Sequence, residues 1–400
     1  MRLIDRLVEG GWAAATAGSD ALPTGAGLRM TERSLYFVNW WVDTLIIGGL
    51  SIVAWVGLLA FYRSTNTQPI FWLAVVLSPF VNYPHFSATV YRLYQSPDNI
   101  RQFPVTACGL PLILIAAVAA SFWQPNIIAP YFVMLFLLWS PYHYSGQTIG
   151  LTMVYARRAG FSIGRRERMA LSAFVFSAFV FGVIRFQRSG STDFYGMSVP
   201  AFPLPDWMGA VVQAVMLTGA LVFAGFTLVW CLEQKRLVPP IVLLPALTHF
   251  VWFVPGAGLK SFWIVIPFFH SLQYLLIALA MQLRVRIGGA GGAHSWRRVG
   301  AEARRWGSRN ILGGLLLFVG IPAAFSWLPL PVMTTAGILA AAVNIHHFFV
   351  DGVIWKLRDA KTSLALMTNI AEFAAPAAGD LIRPPGGRGL RCTKPLPPLP

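Results

Sequence analysis

Apolar runs of about 17 to 30 residues recur along almost the whole of this 400-residue chain, a pattern that soluble globular domains do not show. As a helix, each run is long enough to cross roughly 30 Å of hydrocarbon. The residue content agrees: 56% of the chain is hydrophobic, only 12% is charged, and it holds 15 Trp and 29 Phe. Mean hydropathy is positive. The expected fold class is therefore all-α, a polytopic bundle of transmembrane helices.

About ten spans are expected, at 36–61, 69–94, 104–123, 127–156, 169–186, 207–232, 238–255, 261–283, 311–327 and 331–357. The distribution of basic residues supports that number. With the N-terminus on the cytoplasmic side, 27 of the 31 Lys and Arg fall in cytoplasmic segments, and the other face keeps only Arg63, Arg185, Arg188 and Lys260. An even number of spans, with both termini cytoplasmic, gives this asymmetry. The expected organisation is an N-terminal cytoplasmic or interfacial segment (1–35), a helical membrane domain (36–358) and a cytoplasmic Pro/Gly-rich tail (359–400), partly disordered. Within the first segment, Leu3, Ile4, Leu7 and Val8 recur at helical spacing, as in a helix lying on the membrane surface. The loop "RFQRSGSTDFYGMSVPAFPLPDW" is rich in Gly, Ser and Pro and reads as a cap on the outer face.

A net charge of +16 would suit nucleic acid, but its placement in short loops between apolar runs argues against such a partner. Lipids, a lipid-soluble substrate and subunits of a membrane complex are the partners expected, in a bacterial cytoplasmic (inner) membrane. The three cysteines, Cys108, Cys231 and Cys392, form no CxxC pair or disulfide framework.

Six of seven histidines fall in spans: His85, His143, His249, His270, His346 and His347. Counted from the cytoplasmic end at roughly 1.5 Å per residue, His85 lies about 14 Å deep, His143 and His270 about 20, His249 about 16 and the His346–His347 pair about 15 to 16. Five helices thus bring imidazole to nearly one level. Polar residues accompany them at helical offsets: Asn82 with His85, Gln147 with His143, Gln273 with His270 and Asp351 with His347. A lone histidine in a membrane helix commonly just hydrogen-bonds a neighbouring helix. Six at one depth, with amides and a carboxylate, point to a metal site instead. All six are candidate ligands. His346 and His347 differ by about 100° around their helix, so both reach one site only from its flanks. Asp351, Gln147 and Gln273 are the candidate catalytic groups. Asp351 serves as a ligand or accepts the second ring N–H of His347, and the two glutamines orient ligands or substrate. His294 lies in a loop and is left out.

Other features read first as architecture. Arg92, Arg157, Arg158, Trp355, Lys356 and Arg358 suit a membrane-interface belt. Pro84, Pro141 and Pro267 precede three of the histidines by one to three residues and would kink their helices, freeing carbonyls nearby.

A set of neutral imidazoles with a carboxylate suits iron and, less selectively, zinc or copper. A metal deep in a bilayer makes sense for a substrate that cannot leave it. The reading favoured is a non-haem iron oxidoreductase acting on an isoprenoid, carotenoid, quinone or acyl chain. Two rivals use the same residues: a bis-histidine haem in an electron-transfer protein, and a transporter or accessory subunit that uses the polar cluster.

The segments "NYPHFSATVYRLY", "SPYHYSGQTIG", "FFHSLQYL" and "NIHHFFVDGVIWKLRD" carry a resemblance. Together, over roughly residues 80 to 360, the chain resembles a group of largely uncharacterised bacterial polytopic membrane proteins with a mid-chain HYxxQ and a late HHxxxDxxIW. The resemblance implies a shared architecture and no particular activity. In character alone, the chain is also similar to Brp/Blh-type carotene dioxygenases, which are iron enzymes, although their His-Gly and His-Phe-Gly signatures are absent here. The HxxxH and HxxHH boxes of fatty acid desaturases and hydroxylases are absent too, apart from the bare His346–His347 pair.

Overall fold

A backbone that leaves water must satisfy its own N–H and C=O groups, and this chain does so with helices almost throughout. The computed structural model describes residues 35–62, 66–161, 163–288, 295–355 and 366–373. The helices are α1 (Trp40–Phe61), α2 (Gln68–Leu77), α3 (Asn82–Tyr94), α4 (Pro97–Gln102), α5 (Val105–Trp123) and α6 (Ile128–Arg158). They continue with α7 (Arg165–Arg188), α8 (Trp207–Gln234), α9 (Pro240–Phe253), α10 (Lys260–Arg286), α11 (Trp296–Ala324) and α12 (Val332–Ile354). The leader helix, His294, Cys392, Lys356, Arg358 and most of the tail lie outside the described residues.

Among the described residues, eight helices are long and apolar enough to cross a membrane: α1, α5, α7, α8, α9, α10, α11 and α12. This is a multi-pass membrane protein. Two of the ten expected spans do not qualify, and both carry candidate site residues. Residues 69–94 are not one helix: the chain turns at 78–81, between α2 and α3. Pro79 lacks an amide proton, and Pro84 falls in the first turn of α3, where no intrahelical donor is needed. The other, α6, is unbroken at 31 residues but is diluted by polar side chains, among them Ser140, His143, Ser145, Gln147, Thr148 and Thr152.

Small residues set the closest contacts. A Cβ on Gly314 would stand 2.6 Å from the carbonyl carbon of Tyr83, so glycine there lets α11 lie directly against α3. In turn, α3 packs on α10, α11 and α12, while α6 packs on α9 and α12. α9, α10 and α12 are the most enclosed of the spanning helices, and α8 shows nearly all of its surface.

The two ends of the bundle differ. At the end carrying Arg92, Arg158 and Arg286, which we call the basic end, a buried network ties the chain together. The Asp43 carboxylate accepts the Phe37 N–H (2.6 Å), the Val38 N–H (3.0 Å) and the Tyr155 hydroxyl (2.8 Å). Arg158, 2% exposed, donates to the carbonyls of Tyr36, Leu366 and Thr368 and lies 3.9 Å from the Phe37 ring centre. Residues 366–373, which the sequence reading assigns to the tail, are therefore packed into the bundle, with Leu366, Asn369, Ile370 and Phe373 buried. Trp355, expected at the interface, is buried as well, under the Arg92 guanidinium at 4.3 Å.

At the other end, Thr192–Phe194 pairs antiparallel with Met197–Val199, in the register Phe194 opposite Met197. The turn residues Tyr195 and Gly196 have φ of 53° and 75°, the left-handed geometry a two-residue hairpin requires. The hairpin tip rests on α12 at Gly337, where a Cβ would come within 2.8 Å of the Tyr195 Cβ.

Candidate metal centre

Four helices each contribute one face to a common interior point. His85 and Thr89 share a face of α3 at i,i+4, and His347 and Asp351 do so on α12. His143 and Gln147 do the same on α6, and His270, Gln273 and Tyr274 line one side of α10. The turn at 78–81 sets the start of α3, and Pro141 and Pro267 lie inside α6 and α10, close to their histidines.

His85, His143, His270 and His347 offer ring nitrogens that all lie within 4.8 Å of one another. Each is at most 8% exposed. His347 Nε2 is the focus: 2.8 Å from His85 Nε2, 3.1 Å from His143 Nε2 and 3.4 Å from Asp351 Oδ2. The same carboxylate oxygen is 3.7 Å from His143 Nε2. One ring nitrogen has either a single proton or a single lone pair, so it cannot serve three neighbours as hydrogen bonds. Ligands about 2.05 Å from a shared ion stand about 2.9 Å apart at a right angle and about 3.4 Å apart at the tetrahedral angle. The separations around His347 Nε2 lie close to that range. His270 supports the same reading, since neither ring nitrogen has a hydrogen-bond partner, and His85 Nδ1 is also unpartnered. Buried polar atoms left this way are costly unless something else satisfies them, and a cation among lone pairs does so.

The groups behind the histidines fix which nitrogen faces inward. His347 Nδ1 is 2.9 Å from Thr89 Oγ1, and Thr89 donates its own proton to Asp351 Oδ1 at 3.1 Å. His347 Nδ1 therefore carries the proton and Nε2 presents its lone pair to the centre. The Tyr274 hydroxyl, 2.6 Å from Thr89 Oγ1, completes the relay as a donor to Thr89. Of the two roles expected of Asp351, the geometry leaves the first: its Oδ2 points to the centre, while Thr89 takes the His347 N–H. Gln147 and Gln273 hold the backbone of α10 in place. Gln147 Nε2 donates to the His270 carbonyl (3.1 Å) and to Gln273 Oε1 (2.9 Å). Gln273 Nε2 donates to the Ile47 carbonyl at 2.5 Å, within the π-helical turn Leu45–Gly49 of α1.

The other two candidate ligands lie apart from this group. His249 is fully buried, but it faces the Val175 carbonyl (3.1 Å), Thr148 Oγ1 (3.3 Å) and Ser145 Oγ (3.4 Å) among α6, α7 and α9. His346 turns away around α12, as the 100° step requires, and stacks on Tyr94 with ring centres 6.2 Å apart. Thr89 and Tyr274 complete the site and were absent from the sequence-based ligand shell. Thr89 was legible in principle, because it follows His85 by four residues.

Cavities flank the histidines on two sides. One, of 210 Å³, is bordered by His85, His270 and His347 and reaches the hairpin at Phe194 and Tyr195. The other, of 30 Å³, lies toward the basic end against His143, Gln147, Tyr274, Asp351, Trp355 and Leu366. The four rings crowd one point from several directions, with centres as close as 4.2 Å for His85 and His347. They leave no open plane for a macrocycle between two axial ligands, so the donors fit a bare ion and not haem.

No protein-family model matches this chain, and neither a curated protein nor a solved structure shows significant similarity to it.

Proposed function

We propose that this protein is a non-haem iron oxidoreductase of the bacterial inner membrane, acting on a lipid-soluble substrate, with its basic end in the cytoplasm. One observation carries the reading: four buried histidines from four helices meet with a carboxylate beside them, and three of the four border a cavity on the side away from the basic end. Nitrogen and oxygen donors without thiolate suit iron. We assign His85, His143, His270 and His347 as ligands, and Asp351 Oδ2 as a fifth donor or as the counter-charge to the ion.

When bound, iron supplies one-electron and oxygen chemistry that no side chain offers. The chain's own residues supply the rest. Thr89 holds the His347 tautomer, and Gln147 and Gln273 fix the helix segment bearing His270. His143 and Asp351 close the centre toward the basic end, while the three remaining rings face the larger cavity. Enclosure by aromatic side chains excludes water from a reactive centre. We further propose that HYxxQ and HHxxxDxxIW mark this same centre in the bacterial proteins that carry them.

Elemental analysis of the detergent-purified protein, with its absorption spectrum, tests this reading. About one iron per chain without a Soret band is expected. A Soret band, zinc or copper in place of iron, or no metal after growth in iron-replete medium would overturn it.

A further inference from the structure

The larger cavity narrows the class of substrate. Its 210 Å³ falls below the roughly 300–1,000 Å³ of pockets that enclose a drug-sized molecule. At the packing density of protein interiors it takes on the order of a dozen non-hydrogen atoms, which is a head group and not a whole membrane lipid. One wall is helix α2, a single helix thick: Ala74 and Val75 line the cavity while Trp72 and Val76 are exposed on the outside. A hydrocarbon tail leaving the cavity beside α2 would pass directly into the bilayer.

The lining is informative in what it contains. No Lys, Arg, Asp or Glu is among the lining residues, so a phosphate, diphosphate or carboxylate head would be buried without a counter-charge. Flat faces dominate: Tyr83 and Phe318 stack at 4.6 Å and 9°, and Phe86 lies beside Phe318 with ring centres 5.0 Å apart. Two amides supply the polar contacts. Asn82 Oδ1 is already engaged by the Ser271 hydroxyl at 3.0 Å, which leaves its NH₂ to donate. Asn344 Nδ2 already donates to the Ala340 carbonyl at 2.8 Å, which leaves its oxygen to accept.

We propose that this cavity binds the ring of a neutral, chain-bearing quinone or its quinol. The Asn82 amide N–H donates to a ring carbonyl of the quinone, the Asn344 oxygen accepts from a ring hydroxyl of the quinol, and the ring lies beside His85, His270 and His347. The assignment rests on the reading of the centre as one that acts on a lipid-soluble substrate, and it names that substrate by charge, shape and hydrogen-bonding pattern.

The full-length protein in phosphatidylcholine nanodiscs provides the test. A benzoquinone with a decyl tail, and separately its quinol, are titrated against intrinsic fluorescence, and metal content is measured in the same samples. Saturable binding of one ring per chain is expected, weakened at least tenfold for the quinone in Asn82→Leu and for the quinol in Asn344→Leu. It should be abolished by Ala340→Phe, and by Ala74→Phe on the opposite wall in case the first variant fails to insert. Absence of saturable binding, binding indifferent to both fillings, or equally tight binding of oleate or geranylgeranyl diphosphate would overturn the proposal. The two readings fail separately. Metal without quinone binding sinks this inference alone, whereas quinone binding without metal sinks the iron assignment and leaves the cavity's occupant standing.

Discussion

The Nε2 atoms of His85 and His347 lie 2.8 Å apart although 262 residues separate them in the chain. Two neutral imidazoles could hold that distance around one proton. A third nitrogen, from His143 at 3.1 Å from the same His347 atom, leaves no second proton or lone pair to share. A cation resolves the conflict, and that is the physical core of the metal assignment.

Ligand and bystander histidines should separate cleanly on mutation. Replacing His143, His270 or His347 with Ala is expected to remove at least nine-tenths of the bound metal while the protein still inserts. His346→Ala should keep full metal content. His249→Ala should also keep it, while losing roughly 1–3 kcal/mol of stability because the Val175 carbonyl loses its partner. Metal per chain, read beside thermal stability, decides between these outcomes.

Thr89 offers a test of the groups behind the ligands. Thr89→Val keeps shape but removes the acceptor for His347 Nδ1 and the donor to Asp351. Metal affinity should fall about 10- to 100-fold, the usual cost of losing such a partner. Thr89→Ser should restore it. Competition against a chelator of known affinity measures both.

Arg158 anchors residues 366–373 through two of its three carbonyl contacts, and it is almost fully buried. Arg158→Met removes those donors and leaves Asp43 without its nearby positive charge. A loss of roughly 3–5 kcal/mol is expected, as for other broken buried charge networks. Hydrogen exchange should then rise in 366–373 before it rises in the helices that carry the histidines. Uniform exchange across the chain would contradict the anchor.

Gly337 should tolerate no side chain. In Gly337→Val the new atoms meet Tyr195 Cβ and Met197, so the hairpin tip must lift from α12. The expected cost is about 1–3 kcal/mol, and metal content should stay unchanged because no hairpin residue is among the proposed ligands. A fluorescent label at Ser191 would report the displaced hairpin.

Much of this was legible in the sequence, and the misses have identifiable causes. Apolar runs fix where helices lie, because only helix length and hydrophobicity are at stake. The depth of each histidine follows from a fixed rise per residue, so a common level for His85, His143, His270 and His347 could be read directly. Rotation about the helix axis could not. His249 shares the level but faces α7, and His346 is one residue from a ligand yet points at Tyr94. The fold of 366–373 back onto the bundle was hidden as well, since its anchor is Arg158, more than 200 residues upstream, and a buried arginine looks in sequence like any other interfacial one.

The two stretches that do not qualify as membrane spans, 68–94 because it breaks at 78–81 and 128–158 because polar side chains dilute it, are those that deliver His85 and His143. Neither is a continuous apolar helix that would leave the insertion machinery unaided, so each must wait for neighbours to shelter it. The partner that completes the centre, His347, arrives on α12, near the end of synthesis. Loading of the proposed ion would consequently be a late step in biogenesis, and a ribosome stalled before α12 would release a bundle that no supply of metal could rescue.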